Sequence, residues 1–370
     1  MSLITATPRY GQRDYSMLGE DAREAERHGL KSAEWYHTDV SRKEMKELMK
    51  RSDAPAIRDT VIWLGLMAVF AALAVWLWPS WWAALPLAAY GVLYGSATDS
   101  RWHECSHGTA FRTKWMNDWV YQIACFMIMR NPTRWRWSHT RHHTDTLIVG
   151  LDPEISVMRP PVLLKVILAF TGVLDVWGAM KNMVLNAFGT ISEEEKSFIP
   201  EMEWHKVILA ARIWFLIYAV TVALALYFGS WLPIVLVGAP RLYGAWHHVL
   251  TGLMQHGGLA DNVLDHRLNS RTVYVNPVSR FIYWNMNYHV EHHMFPMVPY
   301  HALPRLHALI KHDLPEPTPS MWACYRDMIP AWVRQLRGED YFLVRRLPVT
   351  AKPYRAELAG SQSEKSLEQA

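Results

Sequence analysis

Residues 285–307 read NMNYHVEHHMFPMVPYHALPRLH, and at their centre stands His289-Val-Glu-His292-His293. Residues three and four apart share one face of a helix, so a single turn can aim all three imidazoles at one point. The same spacing recurs at His139-Thr-Arg-His142-His143, and a wider pair stands at His103-Glu-Cys-Ser-His107. A lone histidine on an apolar face is normally a satisfied core residue. Eight in three clusters are not explained that way, because each buried, unsatisfied polar group costs roughly 1–3 kcal/mol. Metal binding removes that cost. One tetrahedral zinc needs only four ligands, so eight or nine imidazoles imply two metals. Imidazole suits zinc, copper, iron and nickel, so ligand type alone does not select among them.

Outward from these boxes the chain alternates between apolar runs and polar stretches. Thr60–Trp78 and Trp81–Thr98 are separated by Pro79-Ser80, and Val207–Phe228 and Trp231–Leu253 by Gly229-Ser230. Each run is about long enough to cross the hydrocarbon layer. Pro240 and Arg241 interrupt the last, which predicts a kink or protein packing there. Lys206 and Arg212 stand where they can snorkel from the third. No charged residue lies between Asp59 and Asp99, or between Arg212 and Arg241. Both hairpin tips are therefore uncharged, and the positive-inside rule puts the termini and the central loop in the cytoplasm. The expected fold is all-α and integral to the membrane: four transmembrane helices in two hairpins, with a cytoplasmic helical cap carrying the boxes. The catalytic domain is expected over 59–348. A soluble all-helical protein is the bland alternative, and paired charge-free runs argue against it.

The remaining segments are read as accessories. Residues 1–58 carry eleven Lys or Arg and lack the apolar core of a signal peptide. Ser41 and Glu44 predict a capping box. Met45, Leu48 and Met49 form an apolar stripe on a basic helix, which either lies on an anionic leaflet or packs on the catalytic domain. Residues 162–188 are apolar but hold Lys165, Asp175 and Lys181, which predicts an interfacial or re-entrant helix. Residues 349–370 have few apolar side chains and are expected to be disordered.

Composition narrows the function. The chain has 19 Trp, which fits aromatic belts at two membrane interfaces. Its three cysteines, Cys105, Cys125 and Cys324, are too far apart for a disulfide framework or a cysteine-held metal or iron–sulfur site. The net charge of +4 comes without a basic stripe on a nucleic-acid module, so no nucleic acid is implied. No Ser–His–Asp arrangement, phosphate loop or dinucleotide fingerprint competes with the histidines.

With these motifs in this order and spacing, the chain resembles the membrane fatty acid desaturase and hydroxylase superfamily. The resemblance runs roughly from Thr60 to Pro348. It takes in residues 285–307 almost throughout and Gly-Leu-Asp-Pro-Glu at 150–154. Around the last box it is also similar to bacterial desaturase-like oxygenases of the rhizopine-catabolism type, which sets the expectation of a bacterial inner-membrane location. The resemblance implies two iron ions at the cytoplasmic ends of the spans, with O2 as co-substrate. By the motif match the ligands carry over to His103, His107, His139, His142, His143, His289, His292 and His293. The family usually adds one ligand in a Gln-His pair after the last span, here Gln255-His256.

Depth supports His256 over its competitors His247 and His248. At 1.5 Å per residue, His103 lies about 34 Å beyond Ser80, and His256 about 37 Å beyond Trp231. His248 reaches only about 25 Å, level with the bilayer core or its edge. Outer-sphere groups that orient the rings and offset the metal charge are sought among Glu104, Asp145, Asp152, Gln255 and Glu291, and after them Asp99 and Asp261.

The leading reading is an O2-dependent desaturase acting on an acyl chain or similar aliphatic group. Its electrons are expected from an external carrier such as a ferredoxin with its reductase. A hydroxylase or oxidative demethylase on the same site, acting on a lipid or a small polar substrate, is the alternative. A metal transporter or zinc membrane hydrolase is a further reading, but a transporter should place its polar ligands within the spans, and these boxes fall beyond them.

Overall fold

A computed structural model describes residues 13–355. Among them the regular elements are all helical, and extended pairing is confined to the bridges Thr272–Tyr288 and Val273–Thr318.

The N-terminal arm forms α1 (Glu20–Arg27) and α2 (Arg42–Leu48). Ser41 caps α2, its hydroxyl accepting from the Glu44 amide at 3.2 Å. Leu48 is buried among Tyr283, Met286 and Leu306, with Met45 packed alongside. The apolar stripe therefore serves the protein interior, where burying a leucine contributes about 1.5–3 kcal/mol. Of the three residues in the stripe, Met49 remains exposed.

Next come α3 (Asp53–Leu77), α4 (Ala84–Gly95), α5 (Ala97–Ser106), α6 (Lys114–Met127) and α7 (Pro132–Thr144). They are followed by α8 (Leu163–Ala169), α9 (Val173–Ala187), α10 (Glu193–Phe198) and α11 (Trp204–Phe228). Two stretches, Arg42–Leu77 and Glu201–Tyr227, are long and apolar enough to cross a membrane. The pair α8–α9 passes the same test together but is bent by 80°. Its hinge is Gly172, at φ +67°. A Cβ there would lie 2.4 Å from the Arg241 carbonyl oxygen. This bent pair occupies the segment expected to be interfacial or re-entrant.

The expected second and fourth spans are not single helices. Trp81–Thr98 is divided into a short 3-10 turn, α4 and the start of α5. Trp231–Leu253 is divided into α12 (Leu232–Leu236), α13 (Pro240–Gly244) and most of α14 (Trp246–His256). The two pack closely where α4 meets α13. A Cβ on Gly95 would meet the Gly244 backbone at 2.9 Å, and one on Gly244 would meet the Gly91 carbonyl oxygen at 1.8 Å. Small residues four apart let helix backbones approach this closely. At the break before α5, the Ser96 hydroxyl donates to the Gly244 carbonyl at 2.6 Å and accepts from the His248 amide at 2.8 Å. Pro240, which has no amide hydrogen to continue a helix, starts α13 after Gly238 at φ +91°.

The C-terminal part folds as α15 (His266–Asn269), α16 (Pro277–Ile282), α17 (His289–Met294), α18 (Leu303–Ile310) and α19 (Met321–Gln335). The expectation of a disordered tail from 349 does not hold through Arg355. The Arg267 guanidinium, fully buried, donates to the Lys352 and Pro353 carbonyls at 2.9 Å each. The Lys352 amide donates to Asp313 at 2.9 Å. Tyr354 packs with Phe342 against Ala260, Val263 and Leu268. Backbone hydrogen bonds to buried charges thus anchor a segment whose apolar content is low. Residues 356–370 lie outside the described residues.

Candidate metal centre

Four short helices deliver the histidines. The first box lies on α5 and its C-cap, the second on α7, the third on α17, and His256 ends α14. Helix α7 starts cleanly because the Asn131 side chain accepts from the Thr133 and Arg134 amides and Pro132 occupies the first turn.

The ring nitrogens gather into two groups. One holds His103, His107, His139, His143 and His292, the other His142, His256, His289 and His293. Within each group, one nitrogen from every ring lies within 4.8 Å of all the others. The boxes are shared between the groups: α7 and α17 each supply both. His256 joins the second group. His247 and His248 do not, for His247 Nε2 meets Ser279 Oγ at 3.1 Å and His248 Nδ1 meets Asp99 at 2.8 Å.

The outer nitrogens fix the tautomers. His139 Nδ1 lies 3.0 Å from Glu154, His142 Nδ1 2.8 Å from Asp152, and His256 Nδ1 2.7 Å from the Asn269 carbonyl. A carboxylate or carbonyl only accepts, so these Nδ1 atoms carry the proton and Nε2 presents a lone pair inward. His139 Nε2 nevertheless faces His107 Nε2 at 3.1 Å and His143 Nε2 at 3.2 Å, while His256 Nε2 faces His289 Nε2 at 3.0 Å. Across both groups such Nε2–Nε2 separations run from 2.7 to 3.2 Å. Two nitrogens about 2.1 Å from a shared metal and about 90° apart are separated by about 3.0 Å. Lone pairs converging at that distance fit a cation between them.

Burial keeps the rings neutral, which ligation requires. It pushes His103, His107, His143, His289, His292 and His293 well below the ordinary imidazole range, and neighbouring rings add to the effect. Burial likewise takes His256 down to about 3. His142 goes the other way: burial opposes its protonation, but the Asp152 carboxylate, its hydrogen bond and the nearby Glu154 together raise it. Burial pushes the Glu104 carboxyl up to about 8, against hydrogen bonds from Tyr300 and Thr109.

Of the expected outer-sphere groups, Asp152 touches a box ring directly, and Glu104 stands 3.6 Å from His292 Nδ1. The others face elsewhere. Asp145 accepts from the Ser32 amide and pairs with Arg141, each at 2.7 Å. Gln255 donates to the Tyr283 hydroxyl at 2.5 Å. Glu291 accepts from Thr272 at 2.5 Å and pairs with His307. Asp261 pairs with Arg13 and Arg159. Sequence reasoning missed Glu154 on His139, the Asn269 carbonyl on His256, and Thr146, 3.2 Å from His293 Nδ1. Its one available signal was Glu154, the last residue of the 150–154 segment.

The description of a known family, fatty acid desaturase, fits residues 78–325. The chain belongs to the fatty acid desaturase family. Membership and the two apolar stretches make it an integral membrane protein, and the family implies oxidoreductase activity. The match ends inside α19 and takes in all three boxes and His256. A search of curated proteins finds no match.

Proposed function

We propose that this desaturase-family protein is a di-iron enzyme that uses O2 to attack an unactivated aliphatic C–H bond, desaturation being the leading outcome. The observation that carries the reading is the partition of nine histidines into five and four, each set converging on one point. Bound there, two irons would supply O2 reduction and the oxidising power for C–H cleavage. Loss of two hydrogens from the substrate, with two electrons and two protons from outside, balances reduction of O2 to two waters. Insertion of one oxygen, with release of one water, uses the same inputs. We assign the electrons to an external carrier such as a ferredoxin with its reductase.

The chain's own residues have defined tasks. Asp152, Glu154 and the Asn269 carbonyl hold the Nδ1 protons, so that Nε2 stays a ligand. Their carboxylates also offset the charge of a metal pair held by neutral rings. Trp102 stands edge-on to His139, with ring centroids 5.1 Å apart, and packs against that ring. We further place α3 with α4–α5, and α11 with α12–α14, as two membrane hairpins with broken second arms. In that arrangement the termini and the histidine centre are cytoplasmic.

Metal analysis tests the reading. About two irons per chain are expected, and His143→Ala should lose iron and activity while still inserting into the membrane. One zinc per chain, or full activity in His143→Ala, would sink it. Product mass then separates loss of two hydrogens from gain of one oxygen.

A further inference from the structure

One cavity of about 400 Å³ reaches both histidine groups, being lined by His103 and His139 of one and His142, His256 and His289 of the other. Part of its lining is aliphatic, from Val157, Val162, Val166, Val249 and Leu253. The rest is ionic, with Asp99, Arg130, Asp175, Arg241 and His248 facing the same space. A second cavity of about 200 Å³ shares Arg130, Trp135 and Asp175 with the first and adds Asn131, Arg134 and Asn182.

The ionic groups are unevenly satisfied. Asp99 is met by Trp102 Nε1 at 3.0 Å, His248 at 2.8 Å and Arg130 at 3.3 Å. Arg241 spends its donors on Asp175, at 2.8 Å from Nε, and on the Gly95 carbonyl, at 2.6 Å from Nη1. Arg130 has spare capacity: its Nε is buried without a hydrogen-bond partner, and Asp99 is its ion-pair partner among the described residues. Lys165, on α8, lines the same cavity with no ion pair among the described residues. The unused valence is therefore cationic.

It also lies close to the centre. The Trp102 ring sits 5.1 Å from the Arg130 guanidinium and 5.1 Å from the His139 ring, so one indole separates this Asp99-paired cation from the histidines. A long acyl chain attacked far from its headgroup would fill the cavity beside this guanidinium with methylenes and leave its Nε unsatisfied, with Asp99 as its ion-pair partner.

We propose that the substrate is a small aliphatic molecule bearing a carboxylate or similar anion, seated on Arg130, with the attacked carbon a few bonds from that anion. This rests on the oxidoreductase reading of the histidine centre. The iron-loaded enzyme in phosphatidylcholine vesicles, with a chemical reductant and O2, is incubated with extracts of cells that natively make the protein. The aqueous small-molecule extract and the lipid extract are tested separately, and mass spectrometry seeks species changed by two hydrogens or one oxygen. A product is expected from the aqueous extract. Arg130→Leu should then raise its KM about tenfold or more with iron content unchanged, and Arg130→Lys should restore most of the loss. Product from the lipid extract alone overturns the inference while leaving the oxidoreductase reading standing. So does an aqueous product whose KM ignores Arg130→Leu. No product from either extract overturns both readings.

Discussion

Asp152 offers the sharpest test of the two-metal arrangement, because it holds one group and not the other. Its carboxylate accepts three hydrogen bonds at 2.8 Å: from His142 Nδ1, the Leu147 amide and the Glu154 amide. Asp152→Asn keeps the shape but supplies one acceptor oxygen. If that oxygen serves His142 and Leu147, the new amide N–H confronts the Glu154 N–H. The Glu154 N–H and the introduced amide N–H are then both without an acceptor, at a cost of about 1–3 kcal/mol each where water is excluded. His142 also loses the carboxylate that raises its basicity, and losing such a partner typically lowers metal affinity 10–100-fold, or about 1.4–2.8 kcal/mol. That loss should fall on the group of four histidines. Glu154→Gln acts through His139 and should weaken the group of five instead. The assay is iron per chain after dialysis against graded chelator. Each variant should release one iron at lower chelator than the wild type and hold the other. An Asp152→Asn protein with an unchanged release curve would falsify the claim that this carboxylate supports a metal ligand.

Truncation after Pro348 removes the Lys352 and Pro353 carbonyls from Arg267, and bonds to a charged group contribute about 1.5–3 kcal/mol each; Tm in detergent should drop by several degrees, and an unchanged Tm would show that the tail docks without stabilising. Gly244→Ala puts a methyl 1.8 Å from a backbone oxygen and should abolish folded yield, whereas Gly65→Ala, with open space around it, should be silent; equal yields would contradict the close packing of α4 on α13. For the metal-free protein, burial holds His256 near 3 against 6.5 in the unfolded chain. Below pH 6.5 the unfolded chain takes up a proton that the folded chain refuses. Stability present above that pH is therefore lost as pH falls toward 3, by about 2 kcal/mol at pH 5 from this ring alone. A melting temperature flat between pH 7.5 and pH 5 would refute the burial argument. A reporter fused to the C-terminus should be active in the cytoplasm, and activity confined to the opposite side would overturn the proposed topology.

The histidines were legible in the sequence because each box is local, and a spacing of three and four already implies one helix face. The same rule, applied once more, would have removed Glu291 from the outer-sphere candidates. It stands two residues after His289 and one before His292, so it points off the shared face of α17, where it meets Thr272 and His307. Glu154 was illegible for the opposite reason. Its contact with His139 crosses from a loop to a helix, and no periodicity reports a loop's path. The broken spans follow the same division. Hydropathy gave the apolar runs, but the breaks depend on which backbones touch. Gly91, Gly95 and Gly244 read as ordinary small residues until α4 and α13 are laid together. That contact also has a consequence for the site. Ser96, at the break, holds both the Gly244 carbonyl and the His248 amide, and His248 in turn holds Asp99. Asp99 binds Trp102 and Arg130, which flank the histidine cavity. This chain of contacts runs from the break that hydropathy could not see to α5, whose His103 faces His292 at 2.7 Å.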